Sequence, residues 1–367
     1  MEGIVKFLSS LLYYVEERGY PFAVAFKRAY RDNKPREVNS NLLYEYSRRF
    51  LLSYFSLPSV KKRSIRVKYW IEGKHDNITF PEWMEESLKN FVNLSLLKES
   101  LKSKVVWIRV NLLKTDIDKV IKALENYKIE FSLDKDLYYM IKIEKSKVRL
   151  SALDLVKEYK VIIQDKASSL VIEALKPEYK DKLIDLSSAP GVKASLYMML
   201  TENKSEIFLT DIDFSRLLRE LRLLKKSGVD MDKIHIIHQD SSRNSLTKGD
   251  KVLLDAPCSS SGMISNDPTI LIKLNREKII RFSNLQKRLI NEAINIKAKE
   301  LVYAVCSFFP EEGETIVDKY YDLLERPFNN YSSGYTSFKS GILTNRTFPH
   351  IDSTEGFFIS KLNLEKL

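Results

Sequence analysis

Beyond about residue 155 the chain repeats one pattern that leaves few folds open. Short β-branched runs at Leu183 to Ser187, Ile207 to Asp211, Ile234 to Gln239, Val252 to Asp255 and Leu301 to Val305 read as strands. Between them Leu196 to Leu200, Phe214 to Lys226 and Asn284 to Ile296 carry helical periodicity, and Gly356 to Leu362 reads as a closing strand. Strands alternating with helices predict an α/β fold built on a doubly wound, mostly parallel sheet. Ligands of such sheets bind beyond the carboxyl ends of the strands, so the residues that follow each strand are the ones expected to carry chemistry.

The first hundred or so residues follow a different rule. Ile4, Val5, Leu8, Leu11, Leu12 and Val15 fall at helical spacing, as do apolar positions from Phe22 to Ala29 and from Leu42 to Phe55. Pro81 opens a further helix with Trp83 and Leu88 on its apolar side. We therefore expect an all-helical domain over 1–103, interrupted by a basic stretch from Pro58 to Lys74. Val105 to Asn111 and Tyr138 to Ile143, around a helix near Ile117 to Tyr127, predict a small α/β connector module over 104–154, which leaves 155–367 for the ligand-binding domain.

With 367 residues, 44% of them hydrophobic, the chain is long and apolar enough for two or three packed domains, which excludes disordered and collagen-like classes. Sixty Lys and Arg against 49 Asp and Glu give a formal charge of +11, a balance that favours a polyanionic partner such as nucleic acid. The first 104 residues are the basic end, with 19 Lys and Arg against 12 acids. Lys61, Lys62, Arg63, Arg66 and Lys68 are positioned to pair with phosphates, although a solvated loop rich in lysine is the plain alternative. No run reaches the roughly 18 apolar residues of a membrane span. The N-terminus, broken by Lys6, Ser9 and Ser10 and without a small-residue cleavage site, reads as a helix of the mature protein. Two cysteines without a secretory signal point to a reducing cytoplasm, and a monomer is the default expectation.

The strand ends gather the reactive residues. The first strand runs into Asp185-Leu186-Ser187-Ser188-Ala189-Pro190-Gly191-Val192-Lys193, whose small residues let a ligand approach the backbone at a helix start, although it is neither G-x-G-x-x-G nor a P-loop. The second ends at Asp211, placed to accept hydrogen bonds from ribose hydroxyls. Asp240 and Asp255 end the next two. Helix capping explains any one of these acids; it explains four in register less well. Both cysteines, Cys258 and Cys306, follow strand ends at that same edge, which favours reactive thiols over buried inert ones. A zinc site made of His235, His238 and the two cysteines is set aside, because the histidines would lie in or near a strand and share no face with both thiols. A Cys258–Cys306 disulfide is not expected in a reducing compartment.

At these residues the sequence resembles the RsmB (Fmu/Sun) and Nop/Sun family of AdoMet-dependent RNA cytosine-5 methyltransferases. Asp185 to Lys193 is similar to the family's turn D-x-C-A-A-P-G-G-K, Asp211 with Arg216 to D-x-x-x-x-R, and Asp240 to its adenine-side acid. Asp255-Ala256-Pro257-Cys258-Ser259, Gly262 and Asp267-Pro268 resemble D-A-P-C-S-G-x-G…D-P, and Gln286 with Val305-Cys306-Ser307 through Pro310-Glu311-Glu312 resembles Q…T-C-S…P-E-E-N-E. Outside the core, Arg109 to Lys114 resembles R-V-N-x-L-K, Gln164 to Ser168 resembles Q-D-x-A-S, and Gly356-Phe357-Phe358 the closing G-F-F. The N-terminal helices are faintly similar to a NusB-like RNA-binding domain. Four positions depart from the pattern: Ser187 for Cys, Val192 for Gly, Val305 for Thr and Gly313 for Asn.

The resemblance implies a Rossmann-like class I methyltransferase domain that binds S-adenosyl-L-methionine through Ser187, Ser188, Ala189, Pro190, Gly191, Val192, Lys193, Asp211, Arg216, Asp240 and Asp255. It implies that Cys306 attacks carbon 6 of a cytosine, that Asp255 holds the ring edge, that Cys258 assists release and that Lys193 positions base or cofactor. No metal or membrane is implied. The RsmB-like N-terminus favours small-subunit rRNA, with tRNA as the alternative. Adenine-N6 or cytosine-N4 methylation would carry Asp/Asn-Pro-Pro-Tyr/Phe in place of Asp255-Ala256-Pro257-Cys258, and a DNA cytosine methyltransferase would attack with the Pro-Cys thiol. A non-catalytic ribosome-assembly factor on this scaffold would be expected to have lost its cysteines or acids first.

Overall fold

Two compact units divide the chain, one formed by 1–104, 259–280 and 307–309, the other by 105–258, 281–306 and 310–367. The computed structural model describes residues 2–35, 38–73 and 77–367.

The first unit is helical: α1 (Glu2–Glu16), α2 (Phe22–Asp32), α3 (Ser40–Leu52), α4 (Arg63–Ile71), α5 (Glu82–Leu88) and α6 (Leu94–Ser100). Its core collects the apolar stripes read from the sequence, with Leu8, Leu11, Leu12 and Val15 packed among Phe22, Ala25, Phe50, Leu51 and Val67. Asn39 and Asn93 cap α3 and α6 by accepting from Asn41 N and Leu96 N. The stretch expected to interrupt these helices forms one itself, since Val67 and Trp70 fall three apart and both bury; Lys74 lies outside the described residues. Segments from far along the chain complete this unit. The buried Arg48 donates to the carbonyls of Leu101 (2.8 Å) and Ser265 (3.2 Å), and Phe22 N donates to Asp267 Oδ1 at 3.1 Å. Ser259 Oγ donates to Ser307 Oγ at 3.1 Å, and Phe308 N to Ser261 Oγ at 2.9 Å. These bonds explain why 259–280 and 307–309 fold with the N-terminal helices.

The second unit holds two sheets. The smaller, antiparallel sheet contains β1 (Val106–Val110), β2 (Glu130–Leu133), β3 (Met140–Lys145) and β4 (Val161–Ile163), in the order β2-β3-β1-β4, with α7 (Ile117–Asn126) and α8 (Asp154–Lys157) in its connections. Because β4 pairs with β1, this sheet extends beyond residue 154. The larger sheet contains β5 (Lys182–Asp185), β6 (Glu206–Asp211), β7 (Ile234–His238), β8 (Lys251–Asp255), β9 (Glu300–Val305), β10 (Leu324–Glu325), β11 (Asn345–Thr347) and β12 (Phe357–Asn363). Its order is β10-β12-β9-β8-β5-β6-β7, with β11 paired to β12. β5 to β9 pair in parallel, and β12 runs antiparallel beside β9 with Phe358 opposite Val305.

Helices α9 (Lys166–Glu173), α10 (Val192–Leu200), α11 (Phe214–Lys226), α12 (Thr269–Lys273) and α13 (Arg276–Ile294) follow in sequence. Alternate strand residues point to opposite faces. Leu183, Leu253, Val302 and Ala304 pack with α9 and α10 residues on one side, while Ile184, Leu254, Leu301 and Tyr303 pack with Leu289, Ile290 and Ala293 of α13 on the other. Both faces are buried, which is why these strands read as nearly continuous apolar runs; each buried aliphatic side chain contributes roughly 1.5–3 kcal/mol. The chain builds outward from β5 through β6 and β7, then from β8 through β9, so the direction reverses between β5 and β8. That reversal opens the crevice into which Asp185 and Asp255 project. The fold is the doubly wound, Rossmann-like architecture.

Candidate active site

All the strand-end groups expected from the sequence meet at one edge. Asp185, Asp211 and Asp255 are the last residues of β5, β6 and β8, and Asp240 lies two residues past β7. Asp185 Oδ1 accepts from Ser187 N at 3.1 Å, and burial pushes its carboxyl up to about 7, with Asp255 and Asp211 adding to the rise and Lys193 opposing it. Asp211 is 4% exposed; it accepts from Asp213 N at 2.9 Å and lies 3.1 Å from Arg216 Nη1. Arg216 also donates to the carbonyl of Ala189, so it links the turn after β6 to the turn after β5. Asp213, not Asp211, caps α11. Asp240 is exposed and caps a short 3-10 turn by accepting from Ser242 N at 2.9 Å.

The turn from β5 into α10 is shaped for close approach. Ala189–Pro190 is cis, and Gly191 sits at φ +92°, a conformation glycine adopts readily. A Cβ on Gly191 would come within 2.8 Å of Glu220 Cγ. Glu220, on the buried face of α11, accepts from Ser188 Oγ at 2.7 Å through Oε2, whereas its buried Oε1 has no partner. Burial, with Asp185 and Asp211 nearby, pushes this carboxyl up to about 8 against the hydrogen bond from Ser188. The sequence reading missed Glu220. The available signal was an acid three residues after Leu217 and four before Leu224, on the stripe that α11 buries.

Lys193, in the first turn of α10, reaches across to β8: its Nζ is 2.6 Å from Asp255 Oδ2 and 5.7 Å from the centre of the Phe357 ring. Its burial acts to lower the ammonium pKa, but Asp255, with Cys306 and Asp185 behind it, holds the pKa above the usual lysine range. Cys258 and Cys306 are half-buried and in no disulfide, with Sγ atoms 3.2 Å apart. Gln286 of α13 secures this region by donating to the Pro257 carbonyl (2.8 Å) and to Glu312 Oε1 (3.1 Å), and Ser283 Oγ donates to the Glu311 carbonyl at 2.6 Å. Thus the separated Gln286, Asp-Ala-Pro-Cys and Pro-Glu-Glu segments form one structural element.

The motifs outside the core fasten the small sheet to α10. Arg109 on β1 is fully buried among neutral partners, donating to Gln164 Oε1 and Ser195 Oγ, each at 2.7 Å, and burial lowers its pKa to about 9. Asn111 Nδ2 donates to the carbonyls of Tyr159 and Ser227, both at 2.8 Å. Of the five N-terminal cations, Arg63 Nε and Arg66 Nη1 each lie 2.7 Å from Glu16, while Lys61, Lys62 and Lys68 remain exposed. His235 stacks on Phe208, and His238 Nε2 lies 2.9 Å from the Ile212 carbonyl; among the described residues no group of three or more His, Cys, Asp or Glu is arranged to hold a metal.

The doubly wound sheet with acids at the ends of β5, β6 and β8 is the Rossmann-like architecture shared by a class of methyltransferases. The chain belongs to the 16S rRNA methyltransferase RsmB/F family, whose model matches residues 172–363. It is 30% identical over 77% of its length to the human 28S rRNA (cytosine(4447)-C(5))-methyltransferase, covering 38% of that protein. It is 25% identical over 77% of its length to ribosomal RNA small subunit methyltransferase B of Proteus mirabilis, covering 65% of it. The crystal structure of PH0851 superposes with a TM-score of 0.80 at 23% identity, covering 99% of this chain and 98% of that one. Against its eukaryotic rRNA methyltransferase relatives the chain spans between about a quarter and a half of their length.

Proposed function

We propose that the chain is an RNA cytosine-5 methyltransferase that uses S-adenosyl-L-methionine and acts on ribosomal RNA, small-subunit rRNA being favoured and tRNA the alternative. Family membership and the relatives named as rRNA cytosine-C(5) methyltransferases support the class. The observation that carries the chemistry is the pair of thiols 3.2 Å apart, beside an ammonium–carboxylate pair at the end of β8.

The residues present fit the cofactor. AdoMet carries ribose hydroxyls and a polar methionine end; Asp211 at the end of β6 can accept from the hydroxyls, and the small residues and positive φ of Gly191 bring the backbone of the β5–α10 turn within reach of the rest. Residues Ser187 to Lys193 would hold its methionine end, Asp211 with Arg216 the ribose, and Asp240 the adenine side. When bound, AdoMet supplies an electrophilic methyl group to carbon 5.

Carbon 5 of cytosine is too weak a nucleophile unaided. The thiolate of Cys306 forms an S–C6 bond, and the C5=C6 electron pair moves onto carbon 5, which would accept the methyl group as its bond to the sulfonium sulfur breaks and leaves a neutral thioether. Even at an unshifted pKa near 8.5, a few per cent of a thiol is thiolate at neutral pH. Asp255, held by Lys193, hydrogen-bonds the ring edge and stabilises the charge that develops there. Cys258 takes the proton from carbon 5; that electron pair restores the double bond and the S–C6 bond breaks, returning Cys306 as thiolate. The base must leave its stack for this, which suits loops and splayed nucleotides. Lys61, Lys62 and Lys68 hold phosphates of the same RNA.

The test is transfer of labelled methyl from AdoMet to unmodified RNA by the wild type, Cys306→Ala and Cys258→Ala, with denaturing gels for a protein–RNA adduct. The expected result is label in 5-methylcytosine for the wild type, none for Cys306→Ala and a trapped adduct for Cys258→Ala. An adduct lost with Cys258 would reverse the thiol roles, and RNA binding without transfer would favour a non-catalytic assembly factor.

A further inference from the structure

Helix α11 leaves the strand-end edge carrying four exposed cations, of which Arg219 feels the charge of Asp213 at the helix N-terminus. Arg219, Arg222, Lys225 and Lys226 are all exposed, and among the described residues none lies within ion-pair distance of an acid. Arg219 Nη1 reaches only Ser215 Oγ, at 3.3 Å, and Lys226 Nζ lies 5.9 Å from the centre of the Tyr159 ring. Several other helices of this chain pair their lysines locally, although the exposed Arg276, Arg281, Lys287 and Arg288 of α13 also make no ion pair among the described residues. The paired lysines lie three or four residues from their acids, as in Lys6–Glu2, Lys89–Glu86, Lys102–Glu99, Lys119–Asp116 and Lys157–Asp154.

Lys225 and Lys226 are accounted for in part by the helix dipole, which favours cations in the last turn. Arg219 and Arg222 are not, because they sit mid-helix three residues apart, where like charges cost a few tenths of a kcal/mol. The same face exposes large apolar side chains at its cofactor end: Phe214 is 55% and Leu218 40% exposed, and the Phe214 ring lies 5.6 Å from that of His238. A row of exposed cations beside an exposed aromatic is the chemistry that tracks a phosphate backbone and stacks an unpaired base.

We infer that this face of α11 is an RNA docking surface, with Arg219, Arg222, Lys225 and Lys226 on the phosphates and Phe214 under a base, holding the strand that flanks the target cytosine. The inference rests on the chain acting on RNA. Unlike Arg63 and Arg66, which are engaged with Glu16, these four cations are available, and α11 begins three residues past the ribose-binding acid Asp211.

The experiment compares the full chain with the variant R219Q/R222Q/K225Q/K226Q; Gln keeps helix propensity while removing charge. Affinity for an unmodified rRNA transcript and for single-stranded oligocytidine RNA is measured as a function of salt, with AdoMet binding followed in parallel. Each single-strand phosphate contact adds about 0.7 to the slope of log affinity against log salt, so four contacts account for about 50-fold of the affinity lost between roughly 50 and 200 mM salt. We expect the slope to fall by up to about 3 in the variant, with AdoMet affinity unchanged and RNA binding retained in R219K/R222K. Equal slopes for variant and wild type overturn the docking surface while leaving the RNA methyltransferase reading intact. A wild type that binds neither RNA overturns both.

Discussion

Replacing Glu220 by Gln should remove a pH dependence of stability that the wild type carries. Glu220 is 0% exposed, and its carboxyl, ordinarily near 4.5, is raised to about 8 chiefly by burial. Between those values the folded chain holds a proton that the unfolded chain has released, so stability falls as pH rises. The contribution is fully present below the unfolded value and lost as pH climbs through the folded one. One pKa unit is about 1.4 kcal/mol, so the whole shift is worth roughly 5 kcal/mol, of which about 2 kcal/mol is lost between pH 6 and 8. Gln imitates the protonated acid: its oxygen still accepts from Ser188 Oγ, and its amide nitrogen takes the place of Oε1, which has no partner already. At pH 6 the two proteins should therefore unfold in urea at similar midpoints, and at pH 8 the variant should be more stable by about 2 kcal/mol. Parallel loss of stability in both proteins over that range would refute a protonated Glu220 beneath the cofactor turn.

Two further substitutions probe the scaffold. Gly313→Asn introduces the residue of the resembled P-E-E-N-E pattern, yet a Cβ there would lie 2.9 Å from both Arg346 Nη2 and Phe358 Cγ, so it should destabilise by about 1–3 kcal/mol in a urea melt. Gln286→Leu keeps volume but leaves the Pro257 carbonyl and Glu312 without its amide, so methyl transfer should slow and stability drop by about 1–3 kcal/mol, with AdoMet affinity measured by calorimetry unchanged.

The large sheet was legible because both its faces are buried, which makes its strands stand out as apolar runs; α11 was read at its observed bounds, Phe214 to Lys226. α13 begins at Arg276, eight residues before the expected start, because its first three residues, Arg276, Glu277 and Lys278, are all charged and give periodicity nothing to read. β2 and β10 escaped notice since they are short edge strands, β2 with only Phe131 partly inside. The strand-end acids and both thiols were visible in the order of the chain. Their partners were not: Lys193 with Asp255, Ser188 with Glu220 and Arg109 with Gln164 are contacts between residues 32 to 62 positions apart, which only the folded crossovers create. Of the departures from the family pattern, Val305 is buried in the apolar layer opposite Phe358, where a threonine hydroxyl would need a partner, and Gly313 is required by Arg346. Nothing in the structure explains Val192.

Proximity alone does not decide which thiol attacks, because a 3.2 Å separation places both within reach of one base. Lys193 breaks the symmetry. Its ammonium is tied to Asp255 at 2.6 Å, and Cys306 is among the charges that stabilise its protonated form. On the proposed mechanism the same ammonium fixes the Asp255 side chain that would meet the ring edge, so a single side chain from the turn after β5 would couple cofactor seating, base orientation and nucleophile. This arrangement needs β5 and β8 to be neighbours with α10 springing from the end of β5, which is what the reversal of strand order supplies. On the same proposal Cys258, three residues past β8, would act on the proton at carbon 5 while Cys306 holds carbon 6.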